Sequence, residues 1–205
     1  MDYAPHTLVS FQYLEALEET SDWVLQDYLL KEKIWAVVRR APHRKGWVPV
    51  GLRGAMRHQR FGTWILKSDI CDVKTPWQWE VDTLKSSFSH HVRGRILAET
   101  FLNLVDVFDK YQWGLAGSFG YSYFTQENAI HDLSDLDVLL DAPTYIAPDS
   151  FNDIVLWCEQ QPCFIDIQMI TPLGGVSLKE WVQQTTPQIL VKTNEGPKLS
   201  HTPWE

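Results

Sequence analysis

A chain of 205 residues, 44% of them hydrophobic and ten of them Trp, can build one large core or two small ones. Its net charge of −8 excludes a bulk nucleic-acid binder, and it holds no apolar run of about 18 residues of the kind that spans a membrane. The start Met1-Asp2-Tyr3-Ala4-Pro5 lacks a basic-then-apolar signal pattern, and Cys71, Cys158 and Cys163 have no metal-ligand spacing, so a soluble cytoplasmic protein with buried free thiols is expected.

In chain order, Ser21 is placed to cap a helix that runs to about Leu30. Residues 35–40, 47–53 and 61–66 then read as strands, punctuated by Pro42, Gly46 and Gly54. Residues 1–88 would form a small α+β domain, and residues 89–205 a second one. That first domain carries an uneven charge. Between Glu32 and Asp69 there is no acid, while Lys33, Arg39, Arg40, Arg44, Lys45, Arg53, Arg57, Arg60 and Lys67 are all basic. Such a segment is either a solvated surface or a site for a polyanionic small molecule, because arginine forks match phosphate oxygens two at a time. Glycines beside Arg53 in Val50-Gly51-Leu52-Arg53-Gly54 permit close backbone approach and favour the second reading.

The second domain opens with a helix expected from about His91 to Tyr111, with Val92, Ile96, Phe101, Val105 and Phe108 on its core face. His90-His91 reads as an exposed pair at the helix start, with no ligand role. Residues 113–116 form a strand, 136–140 a second and 164–170 a third. Ser150 and Asp153 begin a helix to about Gln160 that turns Ile154, Val155 and Cys158 inward. A short helix at 178–184 and a strand at 189–192 complete the chain, and the two domains are expected to leave a cleft between the arginines and the acids described next.

Those acids carry the chemistry. Gly117-Ser118 follows the first strand, Asp135-Leu136-Asp137 opens the second, and Asp166 interrupts the apolar run Cys163-Phe164-Ile165-Asp166-Ile167 of the third. Alternation along a strand puts Asp135 and Asp137 on one face. Two close carboxylates repel, and burial penalises them further, so a divalent cation is their natural partner. Mg²⁺ favours hard oxygens and keeps positions for substrate phosphates. Each piece alone has a plain reading. Ser-Asp-x-Asp is commonly a turn or helix cap, a lone strand Asp is commonly salt-bridged, and Gly-Ser is commonly just a turn. The order strand, Gly-Ser, strand with Asp-x-Asp, helix, strand with Asp accounts for all of them at once as a metal-dependent nucleotidyl-transfer site.

This pattern resembles the nucleotidyltransferase superfamily of polymerase-β-like and antibiotic-modifying enzymes. Within it the chain is similar, nearly end to end, to the phosphoribosyl-dephospho-CoA transferases, the holo-acyl-carrier-protein synthases of malonate decarboxylase. The likeness runs through Val37-Val38-Arg39-Arg40, Val48-Pro49-Val50-Gly51-Leu52-Arg53-Gly54, Arg57, Gln59-Arg60 and Trp113-Gly114. It continues in Gly117-Ser118-Phe119-Gly120-Tyr121, Ser134-Asp135-Leu136-Asp137, Ile165-Asp166-Ile167-Gln168, Leu190-Val191-Lys192-Thr193, Gly196-Pro197 and Pro203-Trp204. The chain departs from the family at Thr125-Gln126-Glu127-Asn128, which lacks a Thr-Gly step.

The resemblance implies an α+β fold with a polymerase-β-like catalytic domain containing a mixed sheet. It also implies transfer of a phosphoribosyl-dephospho-CoA unit from 2′-(5″-triphosphoribosyl)-3′-dephospho-CoA to a serine of the acyl carrier protein, with release of pyrophosphate. Asp135, Asp137 and Asp166 would be the catalytic acids and the ligands of Mg²⁺ or Mn²⁺, and Gly117 and Ser118 would hold the departing phosphates. Arg53, Arg57 and Arg60 would contact the donor. Two rivals stay open: a nucleotidyltransferase with another acceptor, and a non-catalytic CoA- or nucleotide-binding module.

Overall fold

A computed structural model of the chain describes every residue except 1, 2, 55 and 57. The chain divides into two compact units, Met1–Thr75 and Pro76–Glu205.

The first unit is an antiparallel sheet of five strands in the order β4-β3-β2-β1-β5, formed by β1 (Leu8–Phe11), β2 (Ile34–Val38), β3 (Trp47–Arg53), β4 (Arg60–Leu66) and β5 (Asp72–Lys74). The alternation in β3 has a simple outcome: Val48, Val50 and Leu52 enter the core, and Trp47, Pro49, Gly51 and Arg53 take the other face. Helix α1 (Asp22–Tyr28) begins after Ser21 as expected, but the Ser21 side chain makes no capping bond and the helix stops short of Leu30; it contributes Val24 and Tyr28 to the same core. Strands β1 and β5 were not expected from the sequence. In β1 all four residues are buried, Ser10 included, so its short run shows no period of two.

The second unit contains α2 (Val81–Ser87), α3 (Val92–Leu102), α4 (Gly117–Thr125), α5 (Asn152–Cys158) and α6 (Leu178–Val182). Its six strands are β6 (Trp113–Leu115), β7 (Leu136–Asp141), β8 (Ile165–Ile170), β9 (Gly175–Ser177), β10 (Ile189–Thr193) and β11 (Gly196–Ser200), in the order β11-β10-β9-β8-β7-β6. Only β7 and β8 run parallel, and α5 lies between them in sequence, as a parallel pair needs a crossover. The architecture is α+β, and its second sheet is mixed.

Several expectations need correcting. Residues 76–88 were assigned to the first domain, yet Leu84 of α2 and the following Phe88 are buried in the second core. The helix expected to reach Tyr111 ends at Leu102. Beyond it the hydrogen bonds tighten, Leu104 N–H to Phe101 O and Val105 N–H to Leu102 O, and the chain continues as turns that still bury Leu104 and Phe108. Val92, expected on the core face, is 68% exposed at the first turn, whereas Leu97 and Phe101 are buried. His91 is more than an exposed residue, because its ring accepts the Gly94 N–H at 3.0 Å and caps α3. The three cysteines are free, but Cys71 is exposed, Cys158 half-buried and only Cys163 buried.

Aromatic packing fixes the ends of β6. Phe101 of α3 meets Trp79 at 4.8 Å and Trp113 at 4.4 Å between ring centroids, and the Trp79 indole N–H donates to Trp113 O at 3.1 Å. Phe119, in the first turn of α4, lies 6.3 Å from Phe101 and 4.7 Å from Phe88. The segments flanking Gly117 are therefore anchored by large rings at Trp113 and Phe119, whose edge-on and tilted contacts add to the area they bury.

At the other end of α4, the departure noted at Thr125-Gln126 has a structural counterpart. Gln126 caps the helix in the left-handed conformation, at φ 60° and ψ 14°, where glycine is the usual residue. Its side chain offsets part of the cost by donating to Tyr123 O at 2.6 Å. Gln126→Gly is expected to raise stability by about 0.5–1 kcal/mol, because relief of a left-handed side chain outweighs the lost bond and the added chain entropy. Urea unfolding checks this, and a fall in stability would show that the side-chain bond dominates.

Candidate active site

Gly117 has φ +61° and starts α4 directly after β6. A Cβ added there would overlap the Asp137 carboxylate, so only glycine lets the turn lie against that acid. The first N–H groups of the nine-residue helix have no partner within it, and they make this end of α4 favourable to anions. Ser118, half-buried, follows.

Asp137 lies on β7, and Asp135 stands one residue before that strand begins. Across the parallel pair the register sets Asp137 opposite Asp166 and Leu139 opposite Gln168. Ile165 and Ile167 enter the core, which turns Asp166 to the other face. The sheet thus brings two acids together by pairing, and the third stands just upstream. Their mutual effect is visible in Asp137, whose carboxyl is raised from 3.8 to about 6. Burial is the largest cause, followed by the charges of Asp166 and Asp135, while Lys192 acts in the opposite direction.

Two residues that sequence reasoning passed over support this group. Arg93, in the first turn of α3, donates to Ser134 O from Nε at 2.9 Å and from Nη2 at 2.6 Å, anchoring the backbone immediately before Asp135. Lys192, on β10, lies opposite Gly175 and donates to Gln168 Oε1 at 3.3 Å. Its sequence signal was only membership in a family motif. Its alternation with buried Val191 puts it on the outer sheet face, and the strand pairing then brings it toward the acids.

Of the remaining sequence candidates, Arg53 and Arg60 belong to the first unit and face each other across β3 and β4. Arg60 also donates to Gln59 O at 2.9 Å. Arg57 lies outside the described residues. Elsewhere in the basic segment, Arg44 pairs with Glu18 at 2.6 Å and stacks over Trp47 at 4.4 Å, so this arginine is part of the structure of the first unit.

Among the described residues no three His, Cys, Asp or Glu side chains form a metal centre by themselves. A site for Mg²⁺ does not need three. That ion binds through one or two carboxylates and keeps waters and substrate phosphates as its other ligands. Hard oxygen donors, and an Asp137 raised to about 6 by burial and then by the charges of Asp166 and Asp135, fit such an ion. No helix of the described residues is long and apolar enough to cross a membrane.

Comparison with known proteins agrees with this organisation. Residues 4–76 match the phosphoribosyl-dephospho-CoA transferase MdcG N-terminal domain, and residues 86–203 match the MdcG C-terminal domain. A phosphoribosyl-dephospho-CoA transferase of Klebsiella pneumoniae strain 342 is 31% identical over 98% of this chain and 95% of its own length. One from Pseudomonas putida is 31% identical over 98% of this chain and 94% of its own, and one from Pseudomonas aeruginosa is 34% identical over 82% and 78%. No solved structure matches. These likenesses make the protein a transferase. It belongs to the phosphoribosyl-dephospho-CoA transferase family.

The raised Asp137 links site and stability. In the unfolded chain this carboxyl loses its proton near its ordinary value of 3.8, and in the folded chain only near 6, so folding stability falls as pH rises between those values. Below that window the group carries no penalty, and above it the full cost is on the order of 2–3 kcal/mol. Asp137→Asn in chelator is therefore expected to raise thermal stability at pH 7 and to leave it unchanged below pH 4. Equal stabilisation at both pH values would show that charge is not the cause.

Proposed function

We propose that the protein transfers the phosphoribosyl-dephospho-CoA unit of 2′-(5″-triphosphoribosyl)-3′-dephospho-CoA to a serine hydroxyl of the acyl carrier protein of malonate decarboxylase, releasing pyrophosphate. The observation that carries this reading is the Asp137–Asp166 register beside the Gly117 turn, which sets an anion-attracting helix end against Asp137 with Asp166 across the strand pair.

The serine oxygen forms a bond to the innermost phosphorus of the donor triphosphate as the bond to the next phosphate breaks. Backbone N–H groups of Gly117 and Ser118 and the Ser118 hydroxyl hold the departing phosphates. Asp135 and Asp137, with Asp166, would hold Mg²⁺ or Mn²⁺. Such an ion supplies positive charge for the phosphate oxygens as negative charge shifts to the leaving group. Asp166 would either complete that metal site or take the serine proton. Arg93 keeps Asp135 in place through Ser134, and Lys192 moderates the charge at Asp137. Arg53, Arg57 and Arg60 grip donor phosphates. Catalysis in this reading comes from positioning and charge neutralisation rather than covalent intermediates.

Three outcomes are expected. Intact-protein mass of the apo carrier protein, incubated with enzyme and donor, should rise by the transferred unit, stop in chelator and resume with Mg²⁺ or Mn²⁺. Full turnover in metal-free buffer would remove the metal from the reading. Asp135→Asn, Asp137→Asn and Asp166→Asn should each lower the rate at least about 100-fold, or ~2.7 kcal/mol in the barrier, while the protein remains folded. Arg53→Ala, Arg57→Ala and Arg60→Ala should each weaken donor use by roughly 1.5–3 kcal/mol, the range for hydrogen bonds to charged groups. Unchanged donor kinetics in all three would leave them as surface residues.

A further inference from the structure

Asp166 has a second neighbourhood. Across the sheet the order is β6, β7, β8, β9, β10, so Gly117 flanks Asp137 on one side and Asp166 flanks it on the other. Beyond Asp166, β8, β9, α6 and β10 surround an open cavity of about 610 Å³ whose lining includes Phe164, Asp166, Ser177, Thr186, Leu190 and Lys192. One wall is braced by its own bonds, Gln184 Nε2 to Thr186 O at 2.6 Å and the Thr186 hydroxyl to Gln188 O at 2.8 Å. At its rim two apolar side chains face solvent, Phe164 at 63% and Leu190 at 41% exposure.

In-line displacement sets the attacking and leaving oxygens on opposite sides of the phosphorus. With the departing phosphates at Gly117 and Ser118, the attacking oxygen must arrive from the Asp166 side. The lining is also a poor match for the polyphosphate donor. Asp166 and Glu180 add negative charge, Lys179 is paired with Glu159 at 2.8 Å, and the charge of Lys192 is directed at the acids, where it lowers the Asp137 carboxyl. Exposed Phe and Leu beside amide and hydroxyl groups suit a polypeptide instead, with apolar anchors inside a polar rim.

We infer that this cavity receives the serine-bearing segment of the acceptor protein, with the serine oxygen directed at Asp166 and Phe164 and Leu190 contacting the residues on either side of it. The inference rests on the reaction proposed above and adds to it where the acceptor docks.

Phe164→Ser and Leu190→Ser test it separately. Both side chains are largely outside the core, and thermal unfolding checks that each variant folds. Transfer to the apo carrier protein of malonate decarboxylase is followed by intact mass while acceptor and donor are varied in turn. The acceptor KM is expected to rise roughly tenfold in each variant, the size of an interface anchor, with donor KM unchanged. A rise in donor KM with acceptor KM unchanged would reassign the cavity to the donor and overturn the inference, as would no change in either constant. Wild-type enzyme that modifies no carrier protein would sink the proposed reaction and this inference together. Wild-type transfer with unaltered acceptor KM in both variants would sink this inference alone.

Discussion

The repulsion between carboxylates on neighbouring parallel strands is the constraint around which the second unit is organised. Parallel pairing sets Asp137 and Asp166 in register, and burial removes much of the water that would screen them. A fold selected for stability alone would place an apolar residue at either position, since β7 and β8, Asp141 and Gln168 apart, are otherwise strands of Leu, Val, Ile and Met with buried core faces. The acids persist at a cost of stability, a pattern typical of sites where charge is used. Their surroundings make the cost bearable: the positive end of α4 lies against Asp137, and the ammonium of Lys192 approaches from β10.

Holding such a group requires rigid neighbours, and the protein supplies them from two sources. The Gly117 turn is clamped by the rings of Phe88, Phe101 and Phe119 and by the Trp79–Trp113 contact beneath β6. The segment leading to Asp135 is fixed by a pair of guanidinium hydrogen bonds to a single carbonyl. Both devices act on backbone, so the acids inherit their positions from turns and strands that cannot shift without exposing large aromatic surface.

The sequence made the strand-borne parts of the site legible because β7 and β8 combine apolar alternation with acids that break it. Asp137 and Asp166 were conspicuous as exceptions to an otherwise clear pattern. Arg93 and Lys192 were not. An arginine in a helix's first turn and a lysine alternating with apolar residues along a strand are ordinary surface placements, and only tertiary pairing gives them partners. The short strands β1, β5, β9 and β11 escaped for a related reason, since three to five residues carry too little periodicity to separate strand from loop. The boundary after Thr75 was hidden because α2 is too short and polar to declare which core its single buried Leu84 joins.

Magnitudes decide how much of the charge problem the protein solves internally. Lys192 is exposed, so its attraction to Asp137 is screened by solvent, and it leaves the carboxyl near 6 in spite of lowering it. A carboxyl raised from 3.8 to about 6 corresponds to roughly 3 kcal/mol of unfavourable charging. A protein ion pair strong enough to erase that deficit would also compete with substrate phosphates and leave no room for an external cation. In the reaction proposed above, an incompletely neutralised pair set beside a helix end that attracts anions would instead gain most from a divalent ion and a polyphosphate arriving together, each supplying the charge the other needs.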